Sequence, residues 1–70
     1  MTDEIYARVE PDKIDMLTKI VEAYDNLGIV STLERSSGRV VVRVTRDTRE
    51  DMMEILNNLP FPLDIMTAEV

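Results

Sequence analysis

Among the side chains of this 70-residue sequence that could do chemistry, carboxylates are plentiful and the usual nucleophiles and bases are missing. There is no histidine and no cysteine. Imidazole general-base catalysis and thiolate attack are therefore out of reach. So are disulfides and the usual zinc, copper and iron sites. Ser31, Ser36 and Ser37 have no imidazole to activate them. Asp12 with Asp15, or Glu50 with Asp51 and Glu54, carry the oxygen chemistry of a magnesium site. Charge on solvated helix faces is the commoner meaning of such carboxylates, and it is the one adopted. Gly28 and Gly38 lie far apart and each suits a turn, so no Gly-rich phosphate loop is present. The expectation is a protein that is not an enzyme, with no catalytic residues, no metal and no cofactor.

The elements that must position these side chains are written as changes of period. Ile5, Ala7 and Val9 alternate with Tyr6, Arg8 and Glu10, the pattern of a half-buried strand. Pro11 ends it and, with Asp12, suits the first turn of a helix. Ile14, Leu17, Val21 and Tyr24 then recur at three- and four-residue spacing, one face of an amphipathic helix. Asn26-Leu27-Gly28 stops that helix, with Gly28 expected at a positive φ. A second strand runs from Ile29 to Glu34, followed by a polar loop through Gly38. Val40 to Val44, four valines and one arginine, is the strongest strand signal. Asp47 with Glu50, or Thr48 with Asp51, would cap a second helix whose inward stripe is Met52, Ile55, Leu56 and Leu59. Pro60 and Pro62 end it, and Leu63 to Met66 form a last strand, placed at an edge by those prolines.

Strand, helix, strand, strand, helix, strand is the order of the ferredoxin-like β-α-β-β-α-β fold, a single α+β domain over residues 1–70 with a four-stranded antiparallel sheet and two helices on one face. Strands one and three are expected in the centre. Ile5, Ala7, Val9, Val40, Val42 and Val44 should meet the helices. Tyr6, Arg8, Val30, Thr32, Val41, Arg43 and Met66 should line the open face.

A chain of this size buries roughly 60% of the surface its unfolded form exposes. Small scaffolds usually need a staple, and with disulfides and the usual metals gone, self-association is the remaining source of burial. A net charge of -6 disfavours non-specific binding to phosphate backbones. No apolar run approaches the roughly 20 residues of a membrane span. The acidic start Met1-Thr2-Asp3-Glu4 does not resemble a signal peptide, so a cytoplasmic location is expected.

The open face is the first candidate site. Tyr6 with Arg8, and Val41 with Arg43, set an aromatic and two cations on the central strands, where RNA-recognition domains stack bases. Ile5-Tyr6-Ala7 is similar to the first motif of those domains. The third strand offers Val41 and Arg43 where they carry aromatics, and nucleic acid is not the expected partner. Pairing of Arg8 and Arg43 with acids such as Glu34 or Asp64 is the plainer account. Tyr6, Val30, Val41 and Met66 also make an apolar patch on which a second copy could sit. Strand two, free of proline, is the edge expected to pair if an edge is used.

The second candidate is the run around the first helix end, with Glu22, Tyr24 and Asp25. Tyr24 is expected to bury its ring on the helix stripe and turn its hydroxyl outward. Asp25 stands at the negative helix end, where a carboxylate suggests a partner.

Ile5-Tyr6-Ala7-Arg8-Val9-Glu10-Pro11, Ile20-Val21-Glu22-Ala23-Tyr24-Asp25-Asn26-Leu27 and the strand Val30-Ser31-Thr32 together resemble a family of short bacterial proteins known as a domain of unknown function. That family is found largely in anaerobic Gram-positive and related bacteria. The resemblance covers almost the whole chain and implies a cytoplasmic bacterial protein, with Arg8, Glu22, Tyr24 and Asp25 nearest to a signature. The order of elements is also similar to that of ACT-type regulatory domains. These associate side by side and bind amino acids at the interface. Their ligand loop often carries Asp, Pro and Gly, whereas this chain has Glu10-Pro11-Asp12-Lys13. The expected function is a non-catalytic binding or regulatory module, homodimeric, with an amino-acid-like or protein partner. A single-stranded nucleic-acid binder and a structural subunit of a metabolic assembly are the alternatives.

Overall fold

A computed structural model describes residues 2–24 and 27–66. The elements are β1 (Thr2–Val9), a 3-10 turn (Pro11–Lys13) running into α1 (Ile14–Glu22), β2 (Ile29–Glu34), a second 3-10 turn (Arg35–Ser37), β3 (Arg39–Thr45), α2 (Arg49–Asn57) and β4 (Leu63–Met66). The strands form one antiparallel sheet in the order β2-β3-β1-β4. This is the ferredoxin-like α+β arrangement expected from the order of elements.

Alternation along β1 and β3 sends Ile5, Ala7, Val9, Val40, Val42 and Val44 inward, where they form one cluster with Ile14, Leu17, Val21, Met52 and Leu56. Phe61 joins that cluster from between Pro60 and Pro62. Met53, rather than Ile55, completes the inner side of α2 together with Leu59.

Register overturns part of the expected open face. Val30 lies opposite Val42 and Thr32 opposite Val40, and directly paired residues share a face. Val30 and Thr32 therefore belong to the helix side, and Val30 packs on the core. Ile29 and Ser31, opposite Arg43 and Val41, take the open side instead.

Both glycines are required, for different reasons. Gly38 has φ +77° and ends the second 3-10 turn. Gly28 does not have the expected positive φ, since Gly38 alone does among the described glycines. Gly28 is needed for closeness: a Cβ there would lie 2.9 Å from the Arg43 carbonyl oxygen and 2.8 Å from Met52 Cε.

Two local expectations fail on hydrogen bonding. α1 stops at Glu22, and the Tyr24 N–H donates to the Val21 carbonyl, the tighter spacing of a closing turn. At α2, Thr48 is the N-cap without a side-chain cap bond, and neither expected capping pair forms. Its hydroxyl accepts from the Thr45 N–H at 3.1 Å, closing the turn behind it. Asp25 and Asn26 lie outside the described residues, so the expectations for the Asp25 carboxylate and for Asn26 in the helix stop are not addressed by the fold.

Candidate functional site

β1 and β3 place the open-face side chains in rows across the sheet. One row holds Glu4, Arg43 and Ile29. The next holds Met66, Tyr6, Val41 and Ser31. The third runs Asp64, Arg8, Arg39, Glu34, with signs minus, plus, plus, minus. Tyr6, Arg8, Val41 and Arg43 thus share one face. Glu22 is exposed on the last turn of α1, and Tyr24 follows it, both in the other layer. The expected site residues form two sets on opposite sides of the sheet.

The first two rows are tied by hydrogen bonds. Tyr6 Oη donates to Glu4 Oε1 at 2.6 Å. Arg43 Nε donates to Glu4 Oε2 at 3.3 Å, and its Nη1 donates to Ser31 Oγ at 3.0 Å. The partner of Arg43 is therefore Glu4, not Glu34 or Asp64. Glu34 is instead 3.6 Å from Arg39. Arg8 stands opposite Asp64 in register and makes no ion pair among the described residues. The Tyr6 hydroxyl, and then the Arg43 guanidinium, hold the Glu4 carboxyl below its ordinary range. The same hydrogen bond to Glu4, and the charge behind it, raise the Tyr6 phenol.

Val41 is 0% exposed although it points to the open side. It stands between Tyr6 and Ser31 in its row. The expected apolar patch of Tyr6, Val30, Val41 and Met66 is therefore not there: Val30 faces inward, Val41 is covered, and Met66 is the one large hydrophobic of the four that is exposed. A phosphate at Arg43 would have to displace Glu4, whereas Arg8 has no acidic partner among the described residues.

The most exposed apolar side chains lie towards the β2 side of the sheet. Ile29 is 64% exposed and Leu33 is 48% exposed, both on the edge strand β2. Tyr24 is 45% exposed, which corrects the expected burial of its ring. It lines a shallow groove with Leu27, Asp51, Glu54, Ile55 and Asn58, where the carboxylates are solvated. A second recess, at the end of β1, mixes Arg8, Glu10, Ser37 and Asp64. Among the described residues no group of carboxylates is arranged to hold a metal ion. No helix of the described residues is long and apolar enough to cross a membrane.

Glu4 and Ser31 are the site residues that sequence reasoning missed. Glu4 was legible, since it lies two residues before Tyr6 in a strand of period two.

Fold and face together define a ferredoxin-like α+β protein whose open sheet carries the charge pairs Glu4–Arg43 and Glu34–Arg39. Residues 7–62 match the family described as a domain of unknown function (DUF4911), and the chain belongs to that family. No curated protein and no solved structure matches the chain.

Proposed function

We propose that this protein is a non-catalytic binding module of ACT-like type, working as a cytoplasmic homodimer that takes a small molecule or a protein partner. The observation that supports it is the contrast between the open face and the β2 edge. On the open face Arg43 is bonded to Glu4 and Ser31, and Arg39 to Glu34. At the edge, two large hydrophobics stay exposed beside a row of main-chain groups that no strand of the described residues pairs with. Association satisfies such an edge, and catalysis has no histidine or cysteine to draw on.

The test is solution mass by light scattering over a dilution series, followed by melting curves with amino acids and nucleotides. A dimer whose melting temperature rises with one ligand class is the expected result, since a ligand that binds only the folded state stabilises it. A monomer indifferent to the panel refutes the proposal. A dimer indifferent to it moves the function to a structural subunit.

A further inference from the structure

Resting on that homodimer, we infer its interface: two β2 strands pair antiparallel about a twofold axis through Ser31, joining two four-stranded sheets into one. β2 is the open edge. Its residues Ile29 to Glu34 include no proline and no lysine, whereas β4 has only four described residues and follows Pro60 and Pro62. Because β4 is the blunted edge, β2 pairing with itself closes a dimer and does not propagate into a fibre.

The register follows from the faces. Across such an axis, a residue on the open side must meet one on the open side, so the axis passes through a residue and not between two. With Ser31 on the axis, Ile29 meets Leu33 of the second copy, and Val30 meets Thr32 of the second copy. The most exposed apolar side chains of the strand then cover each other. An axis through Val30 would set Ile29 against Ser31. An axis through Thr32 would set Ile29 against Arg35 and Leu33 against Ser31. Neither pairs the two hydrophobics. Leu33 is also the extra residue of an irregularity between Thr32 and Glu34, beyond which β2 pairs with β3 once more, at Glu34 and Arg39. The stretch Ile29 to Leu33 carries no charge, so two chains of net charge -6 can meet along it without opposing like charges directly.

The absence of native cysteine makes the test clean. In the full chain, Ser31→Cys places its thiol opposite its own copy. Directly opposed Cβ atoms stand about 4.5–5.5 Å apart, close to the span of a disulfide. Ser31→Cys is expected to give an intermolecular disulfide under mild oxidation at low concentration, with Ser36→Cys, in the exposed loop, the slow control. Ile29→Lys should weaken the dimer about a hundredfold, the effect of losing apolar cover once in each copy. It should leave the circular dichroism unchanged, because Ile29 is 64% exposed within one chain. If the parent chain is a dimer but Ser31→Cys cross-links no faster than Ser36→Cys, this interface is wrong and the homodimer stands. If the parent is monomeric at every concentration, both fall.

Discussion

Replacing Gly38 with alanine should remove a large part of the stability of the fold. A Cβ at Gly38 would lie 1.6 Å from the Val9 carbonyl oxygen, so the backbone itself must move. The residue also sits at φ +77°, where a side chain costs about 1–2 kcal/mol. The Gly38 carbonyl accepts from the Val9 N–H at 2.9 Å, and a backbone shift threatens that bond. Its loss adds about 1 kcal/mol. The total is about 3 kcal/mol, against roughly 4–10 kcal/mol expected for a whole domain of this length. With a urea slope of about 1 kcal/mol/M for a small domain, the midpoint should fall by about 3 M. Urea titration followed by circular dichroism reads this directly. Gly38→Asn separates the causes. Asparagine tolerates the left-handed region better than alanine, but it carries the same Cβ. The clash with Val9 predicts that Asn fails nearly as badly as Ala. An Asn variant within about 0.5 kcal/mol of the parent would refute the close approach and leave only the dihedral cost. The result bears on the open face, because the contact between Gly38 and Val9 lies at the end of the β1–β3 ladder that aligns Tyr6 with Val41 and Glu4 with Arg43.

Val41→Glu should unfold the protein instead of merely changing its oligomeric state. Val41 is 0% exposed, and a carboxylate without a partner there costs about 3 kcal/mol or more, readable as a lost thermal transition. A well-folded Val41→Glu variant would show that the open face yields where it is drawn closed. The Glu4 carboxyl has a lowered folded value, so its contribution to stability is present above the unfolded carboxylate range and fades as pH falls through that lowered value. The Tyr6 phenol has a raised folded value, so its contribution is present below the unfolded phenol range and is lost as pH climbs through the raised one. Tyr6→Phe removes the first cause of the Glu4 shift, and a carboxyl-carbon NMR titration should show Glu4 moving back towards ordinary values. An unmoved Glu4 would place the cause in Arg43.

How much of this was legible in the sequence follows from how each element is specified. β1 and the valine strand β3 declare themselves by alternation and β-branching, and Pro11 marks the turn into α1, so the order and the central pair were readable. β2 was not readable in its facing. Ile29 and Val30 are adjacent hydrophobics, and Ser31 and Thr32 adjacent hydroxyls, so alternation fits either register. The choice is made by distant contacts: Gly28 lies against the Arg43 backbone, and the irregularity at Leu33 adjusts the other end. Tyr24 continues the spacing of the α1 stripe, but spacing cannot say that the helix has already ended at Glu22. Phe61 shares the period-two spacing of Leu63 and Ile65, which pack on the same core, but the prolines on either side of it hide that continuity. The pairing of Arg43 with Glu4 needs the β1–β3 register, which lies beyond any local pattern.

The distribution of charge separates what the sheet does for itself from what it can offer. Glu4 with Arg43, and Glu34 with Arg39, pair across neighbouring strands, and a partner entering at either must break a contact for the one it makes. The β2 edge has no such contact to break, since no described strand pairs with its outer side. In the proposed module, recognition would then run chiefly through main chain, with partner choice set by a few side chains at alternate positions. That arrangement ties association to Ile29 and Leu33 more than to the arginines. Exchanging Ile29 for valine should leave the dimer nearly as tight, whereas a charge at the same place should disrupt it. Neutralising Arg43 should act on the fold through Glu4 and Ser31, and reach the dimer only indirectly.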